Sequence, residues 1–243
     1  MKVGGLGWQC RWFRIGDRLP DFSAETTFGP IQFSEWVGKA KWGALLVSHP
    51  ADFTPVCTTE LAELGKLVKE FEKRGVQPIG LSCDKLAKHE KWEKDVLEFG
   101  KLPGDKLPYP VIADADRSIA KKYDMIDPER NLDDGLPQTV RSVFLVDKNL
   151  QLRLLMTYPA STGRVWSEVL RAIDSIQLAD KHPVGKVQFF TRVADHVATP
   201  HGWTPGQKVV VVPGMKTEEA KKKYPEIEVI KPYLRFIPQP NTE

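Results

Sequence analysis

Cys57 is the residue of this chain best placed to do chemistry. It ends a loop rich in breakers, His49-Pro50-Ala51-Asp52-Phe53-Thr54-Pro55-Val56-Cys57, and precedes apolar residues at Leu61, Leu64, Leu67, Val68 and Phe71, which is helical spacing. A cysteine at that junction meets the unpaired N–H groups and the positive end of a helix, both of which favour a thiolate. In such places a thiol pKa falls from about 8.5 towards neutrality or below. Thr54 can bring its hydroxyl to the sulfur or to an oxygen bound there, and Pro50 and Pro55 stiffen the loop. The other cysteines, Cys10 and Cys83, form no CxxC pair with it. With no neighbouring thiol to make a local disulfide, a thiolate can still attack a peroxide oxygen, giving a sulfenic acid and releasing hydroxide or alkoxide. The departing oxygen gains negative charge, so a fixed cation should stand nearby, and an arginine fork holds sulfur and oxygen together better than a lysine. On position alone, a small buried hydrophobe remains the alternative for Cys57. Cys10, beside Trp8, Trp12 and Phe13, and Cys83, at the end of an apolar run, read as packing residues.

The elements that must position this cysteine follow from the pattern. Ala44-Leu45-Leu46-Val47-Ser48 reads as a buried strand leading into the loop, and Gly75 stops the helix that follows it. Val76-Gln77-Pro78-Ile79-Gly80-Leu81-Ser82 reads as the next strand, and residues 85–99 as a helix with Leu86, Trp92, Val96 and Phe99 on its apolar side. A third strand is expected over 110–113, then a short helix near 119–123. Ser142-Val143-Phe144-Leu145-Val146 and Leu150-Gln151-Leu152-Arg153-Leu154-Leu155-Met156 flank the polar turn Asp147-Lys148-Asn149, which predicts a hairpin. Residues 164–178 form an amphipathic helix with Val165, Val169, Ala172, Ile173 and Ile176 on one side. Strand and helix in alternation, then a hairpin and a helix, give an α/β sandwich around a mixed central sheet. After Leu178 proline and glycine become frequent around Lys208-Val209-Val210-Val211-Val212. The expected domains are therefore 1–178 and a small C-terminal α+β domain, 179–243, with residues 185–190 a further strand candidate.

Composition narrows the function classes. With 243 residues the chain can bury a large core, and 35 Lys and Arg against 32 Asp and Glu leave a net charge of only +3. That balance argues against nucleic acid or a membrane surface as partner. The run Glu218-Glu219-Ala220-Lys221-Lys222-Lys223 reads as a solvated helix face, acid before base. No stretch of about 18 apolar residues predicts a membrane span, and the cysteine pattern suggests no metal site. Sparse, odd-numbered cysteines point to a reducing compartment, the cytosol by default, with an organelle address in residues 1–11 left open.

The loop also carries a resemblance. Its layout is similar to a thioredoxin active site in which threonine replaces the first cysteine of CxxC. Pro50-x-x-x-Thr54-x-x-Cys57 matches the peroxiredoxin signature, and the run from Ser48 to Leu61 resembles the 1-Cys peroxiredoxins. The likeness continues in Tyr158-Pro159-Ala160-Ser161-Thr162-Gly163-Arg164, in Val197-Ala198-Thr199-Pro200 and in Tyr233-Leu234-Arg235-Phe236. The resemblance implies a thioredoxin-like fold with a C-terminal extension and thiol peroxidase activity towards hydrogen peroxide and organic hydroperoxides, in antioxidant defence. It makes Cys57 the peroxidatic residue, with Thr54 and Pro50 shaping its pocket and Arg141 as the active-site arginine. Glu60 and Arg164 match the supporting polar network, and His49 the pocket histidine. It implies no cofactor and a homodimer whose C-terminal domain reaches towards the partner's active site. No cysteine follows Cys83, so regeneration falls to an external thiol or another reductant, glutathione or a thioredoxin-like protein.

Two other classes stay in view. Oxidation of Cys57 could switch assembly in a redox-sensing or chaperone-like protein rather than drive turnover. Some relatives also hydrolyse phospholipids through a Gly-x-Ser-x-Gly-like segment before the buried strand. Here that stretch reads Gly38-Lys39-Ala40-Lys41-Trp42-Gly43 with no serine, and Ser34-Glu35 follows Phe33 where a histidine would be needed. No such hydrolase activity is expected.

Overall fold

The computed structural model describes residues 13–131, 135–182 and 197–241. In chain order the elements are β1 (Ser23–Ala24), β2 (Ile31–Gln32), α1 (Phe33–Gly38), β3 (Gly43–Ser48), α2 (Pro55–Lys73), β4 (Val76–Ser82), α3 (Leu86–Gly100), β5 (Val111–Ala113) and α4 (Ser118–Lys122). They continue with β6 (Ile126–Asn131), β7 (Pro137–Thr139), β8 (Arg141–Asp147), β9 (Leu152–Tyr158), α5 (Trp166–Lys181), β10 (Val197–Ala198), β11 (Val209–Val211), α6 (Thr217–Lys223), β12 (Glu228–Lys231) and β13 (Leu234–Ile237). By contact the chain divides into Met1–Trp166 and Ser167–Glu243, so most of α5 goes with the second unit. The composition boundary at 178/179 falls inside that unit.

The first unit is organised by a five-stranded sheet in the order β5-β4-β3-β8-β9. β3 runs parallel to β4 and antiparallel to β8, giving the mixed sheet that the sequence implies. Every residue of β3 is buried, as a central strand covered on both faces must be, which is why its sequence is a continuous apolar run. Proline inside β4 is tolerated for a local reason. β5 pairs only with Gly80, Leu81 and Ser82, so at Pro78 the flank away from β3 has no ladder to complete. On one side of the sheet Phe22 stacks on Phe33 at 4.5 Å, and Tyr123 packs edge-on against Phe22 and Phe144. Leu46, Ile79, Ile112 and Cys83 complete that core, so Cys83 is a packing residue, as expected. Cys10 and the strand candidate at 185–190 lie outside the described residues.

α2 starts with Pro55 at its first position, where the missing N–H costs nothing, and its chain reverses through Gly75 at φ +68°. Gly75 then accepts the N–H groups of Trp42 and Gly43, which starts β3. Two side chains depart from the apolar stripes read in the sequence. Phe99 is exposed, because the buried face of α3 runs through His89, Trp92, Glu93, Val96, Leu97 and Gly100. Val165 is exposed because α5 begins one residue later, at Trp166, while the N–H of Arg164 is held by Glu60. The hairpin β8–β9 closes on Asp147, whose Oδ1 accepts from Asn149 and Gln151, with Leu150 at φ +59° belonging to the turn and not to the strand.

The second unit holds a four-stranded antiparallel sheet, β10-β11-β13-β12, with α6. Its small core gathers Leu178, Val197, Trp203, Val209, Val211, Met215, Ala220 and Ile237. Arg235 is buried beside it and donates to the carbonyls of Met215 and Val212, tying the loops before α6 to β13. Among the described residues, no helix is long and apolar enough to cross a membrane.

Candidate active site

The site is built where β3 ends. Ser48 Oγ donates to Val140 O and accepts from the N–H of Ser142, pinning the end of β3 to the start of β8. Thr139 Oγ1 donates to His49 O at 2.8 Å, and the His49 N–H donates to Leu81 O. The loop from Pro50 to Thr54 thus leaves a rigid frame. Pro50 is buried in it, and Phe53 turns it at φ +59°. Thr54 caps α2 in an extended conformation, but its hydroxyl hydrogen goes to Ala51 O at 2.8 Å. Thr54 is therefore left with only its oxygen lone pairs to offer, where the sequence suggested it could also donate.

Cys57 lies in the first turn of α2 and is fully buried. Its sulfur accepts a hydrogen bond from Arg141 Nη1 at 3.2 Å, a bond that an anionic sulfur accepts more strongly than a thiol. The same nitrogen donates to Glu60 Oε2 at 2.7 Å, while Nε and Nη2 of Arg141 both donate to Ala160 O. Glu60, one turn along α2 from Cys57, also takes Arg164: its Oε1 accepts from the N–H at 2.6 Å and from Nε at 2.9 Å, and its Oε2 accepts from Nη2 at 2.9 Å. Arg164 Nη1 donates to Ser142 O, and its guanidinium sits 4.9 Å from the ring centre of Trp166, whose Nε1 donates to Glu60 O. Burial pushes the Glu60 carboxyl upward, but Arg164 and then Arg141 outweigh it and hold it below the usual carboxylate range. Two guanidinium charges against one carboxylate leave one positive charge uncompensated beside the sulfur. An anion at Cys57, or on an oxygen leaving it, completes the balance.

The structure therefore brings Cys57, Arg141, Glu60 and Arg164 into one hydrogen-bonded cluster, with Thr54 and Pro50 in the loop that feeds it. His49 belongs to a second network that the sequence reading missed. Its Nε2 lies 2.9 Å from Asp52 Oδ1, and His89 Nδ1 lies 2.6 Å from Asp52 Oδ2. All three side chains are buried. The His49 ring packs 5.2 Å from that of Trp92, whose Nε1 donates to Thr58 Oγ1, next to Cys57. The signal for His89 was present: it stands three residues before Trp92, on the buried stripe of α3. His49, Asp52 and His89 are close enough to be considered as metal ligands. Both Asp52 oxygens and three of the four ring nitrogens are already hydrogen-bonded, so the group reads as a proton network. A cleft of about 410 Å³ lined by Phe28, Trp36, Lys39, Val68 and Pro108 contains none of these side chains.

The chain is similar to known proteins in sequence and in fold. Residues 15–155 match the AhpC/TSA family, and residues 193–226 match the C-terminal domain of 1-Cys peroxiredoxin. The chain is 45% identical over 225 residues to the mitochondrial peroxiredoxin PRX1 of Saccharomyces cerevisiae, covering 92% of this chain and 80% of that protein. It is 44% identical to peroxiredoxin-6 of Gallus gallus, covering 93% and 97%. Among solved structures, a cysteine-to-serine mutant of peroxiredoxin 6 from Arenicola marina superposes with a TM-score of 0.85 at 42% identity, covering 95% of this chain and all (100%) of that one. The yeast mitochondrial 1-Cys peroxiredoxin, described as resolved by glutathione/thioredoxin systems, gives 0.80 at 44% identity, covering 93% and 100%.

Proposed function

The chain belongs to the peroxiredoxin family, in its 1-Cys branch, and on that premise we propose that Cys57 is the peroxidatic residue of a thiol-dependent hydroperoxide reductase. The observation that carries the assignment is Arg141 Nη1 at 3.2 Å from Cys57 Sγ, within a cluster holding one unbalanced positive charge.

The Cys57 thiolate attacks the terminal oxygen of ROOH. A sulfur–oxygen bond forms, the O–O bond breaks, sulfur is oxidised to the sulfenic acid, and RO⁻ leaves and takes a proton from solvent. Arg141 stabilises the charge as it moves from sulfur to the leaving oxygen. Thr54, its own hydrogen engaged with Ala51, accepts the O–H of the hydroperoxide and orients it. Pro50 keeps the loop in register, Glu60 and Arg164 hold Arg141 in place, and His49 lines the pocket. One thiol then condenses with the sulfenic acid, releasing water, and a second reduces the mixed disulfide. The reductant is glutathione or a thioredoxin-like protein, as named for the yeast relative.

The working form is a homodimer, with β9, one of the two edges of the five-stranded sheet, as the pairing strand beyond Leu152, whose own backbone groups bond Gly16 and Asp17. The compartment proposed is the cytosol, which keeps thiols reduced; the yeast relative is named as mitochondrial, and an organelle is the other compartment to test. The test is peroxide consumption by the purified chain with a small thiol, wild type against Cys57→Ser. Turnover is expected only in the wild type, and equal turnover in both would remove Cys57 from the mechanism.

A further inference from the structure

Arg164 and Trp166 enter the interior side by side. The segment from Gly163 to Val165 leads into α5 without regular structure, and its side chains alternate: Arg164 is buried, Val165 is exposed and Trp166 is buried. Alternation of this kind is the period of two of extended backbone. It brings the Arg164 guanidinium carbon to 4.9 Å from the centre of the Trp166 ring, with both side chains shut off from water. The indole N–H, which can only donate, goes to Glu60 O at 3.0 Å. One side chain therefore touches both members of the Glu60–Arg164 pair, the cation with its ring face and the main chain of the acid with its nitrogen.

Charge gives this contact its weight. Glu60 Oε2 accepts from Arg141 Nη1 at 2.7 Å and from Arg164 Nη2 at 2.9 Å, so two guanidiniums compete for one oxygen. Any movement of that oxygen passes on to the sulfur, since the same Arg141 Nη1 lies 3.2 Å from Cys57 Sγ. A buried cation short of counter-charge is costly and draws on whatever negative potential is within reach. For Arg164 the neutral sources are Ser142 O and the indole face, and indole attracts a cation more strongly than the other aromatic side chains. Leucine at this position would fill space and offer neither a π face nor a donor. Arg164 would then pull harder on Glu60 Oε2, and Arg141 Nη1 would follow that oxygen away from the sulfur.

We propose that Trp166 is a positioning residue of the peroxidase site: by covering Arg164 and holding the Glu60 backbone, it keeps Glu60 Oε2 where Arg141 Nη1 bridges it to Cys57 Sγ. The inference rests on Cys57 being the peroxidatic residue. It goes further by placing control of Arg141 on an aromatic side chain at the start of α5, which acts only through Glu60 and Arg164.

The test is a double-mutant cycle on the second-order rate with hydrogen peroxide. Stopped-flow on the reduced full chain compares wild type, Trp166→Leu, Arg164→Met and the two changes combined, with Trp166→Phe as a milder variant. Trp166→Leu is expected to lower the rate about tenfold, and Trp166→Phe about threefold because a ring still faces Arg164. In the Arg164→Met background the leucine change is expected to cost about threefold or less, the share of the indole nitrogen alone. An equal loss in both backgrounds would make Trp166 a packing residue and overturn the proposal. Nuclear Overhauser contacts between the Arg164 side chain and the Trp166 ring, expected in the reduced wild type, need neither a variant nor turnover. Their absence overturns the proposal even where the leucine variant does not fold. A wild type inert to peroxide would overturn the peroxidase reading and this inference with it, whereas a reactive wild type matched in rate by folded Trp166→Leu overturns this inference alone.

Discussion

Arg141 Nη1 stands 2.7 Å from Glu60 Oε2 and 3.2 Å from Cys57 Sγ, so a single nitrogen serves both the carboxylate that anchors it and the sulfur it acts on. The other two guanidinium nitrogens are fixed on Ala160 O. The arginine is held at all three nitrogens and needs no reorganisation when charge appears at the sulfur or on a leaving oxygen.

Arg141→Lys tests the fork rather than the charge. An ammonium cannot reach Ala160 O, Glu60 and the sulfur together. The second-order rate with hydrogen peroxide is expected to fall about 100-fold by stopped-flow, with circular dichroism unchanged. A rate equal to wild type would take Arg141 out of the reaction.

Glu60→Gln keeps the shape and removes the charge, leaving the Arg141 and Arg164 guanidiniums buried without a counter-ion. A loss of about 3 kcal/mol or more in unfolding free energy is expected in urea titrations. The folded carboxyl lies below its ordinary value of 4.5, so the wild type enjoys this stabilisation above that pH and loses it as pH falls below. The variant should therefore show a flatter acid limb, and a steeper one would contradict the network.

Asp114 behaves in the opposite sense. Burial raises its carboxyl to about 6, although the N–H groups of Ile119 and Ala120 at the start of α4 pull the other way. A group whose folded pKa is raised from 3.8 contributes stability that is complete below pH 3.8 and lost as pH rises through about 6. Over that window the wild type should lose up to about 3 kcal/mol by calorimetry, and Asp114→Asn should remove the slope. An identical slope in both proteins would assign it elsewhere.

Gly43 starts β3, and a Cβ there would overlap the carbonyl oxygen of Val146 in β8. Gly43→Ala must push the two strands apart at the end of their pairing remote from the Ser48 and Ser142 contact. A loss of about 3 kcal/mol, seen as a lowered melting temperature, is expected, and a variant as stable as wild type would show that the strands separate freely.

Local chemistry was the legible part of this site. Pro50, Thr54 and Cys57 sit within one loop and helix start, where breakers and periodicity speak directly, and β3, α2, β4 and the β8–β9 hairpin all form where their patterns place them. Arg141, Glu60 and Arg164 are ordinary charged residues in isolation, and only the resemblance singled them out; their meeting depends on pairings 81 and 104 residues apart. Asp52 and His89 escaped notice because their partnership is likewise non-local, and because a histidine inside a mostly charged helix looks like surface. Phe99 and Val165 misled for a related reason: hydrophobicity suggested an inward face, while packing in α3 and the grip of Glu60 on the Arg164 N–H set the actual phase.

The span of those pairings has a consequence during synthesis. While a ribosome has delivered only the stretch up to α2, Cys57 exists without Arg141 or Arg164, which arrive 84 and 107 residues later. The nascent chain therefore holds Cys57 without the guanidinium that faces its sulfur, and the buried cluster can close only when the residue after Gly163 has emerged and docked on Glu60.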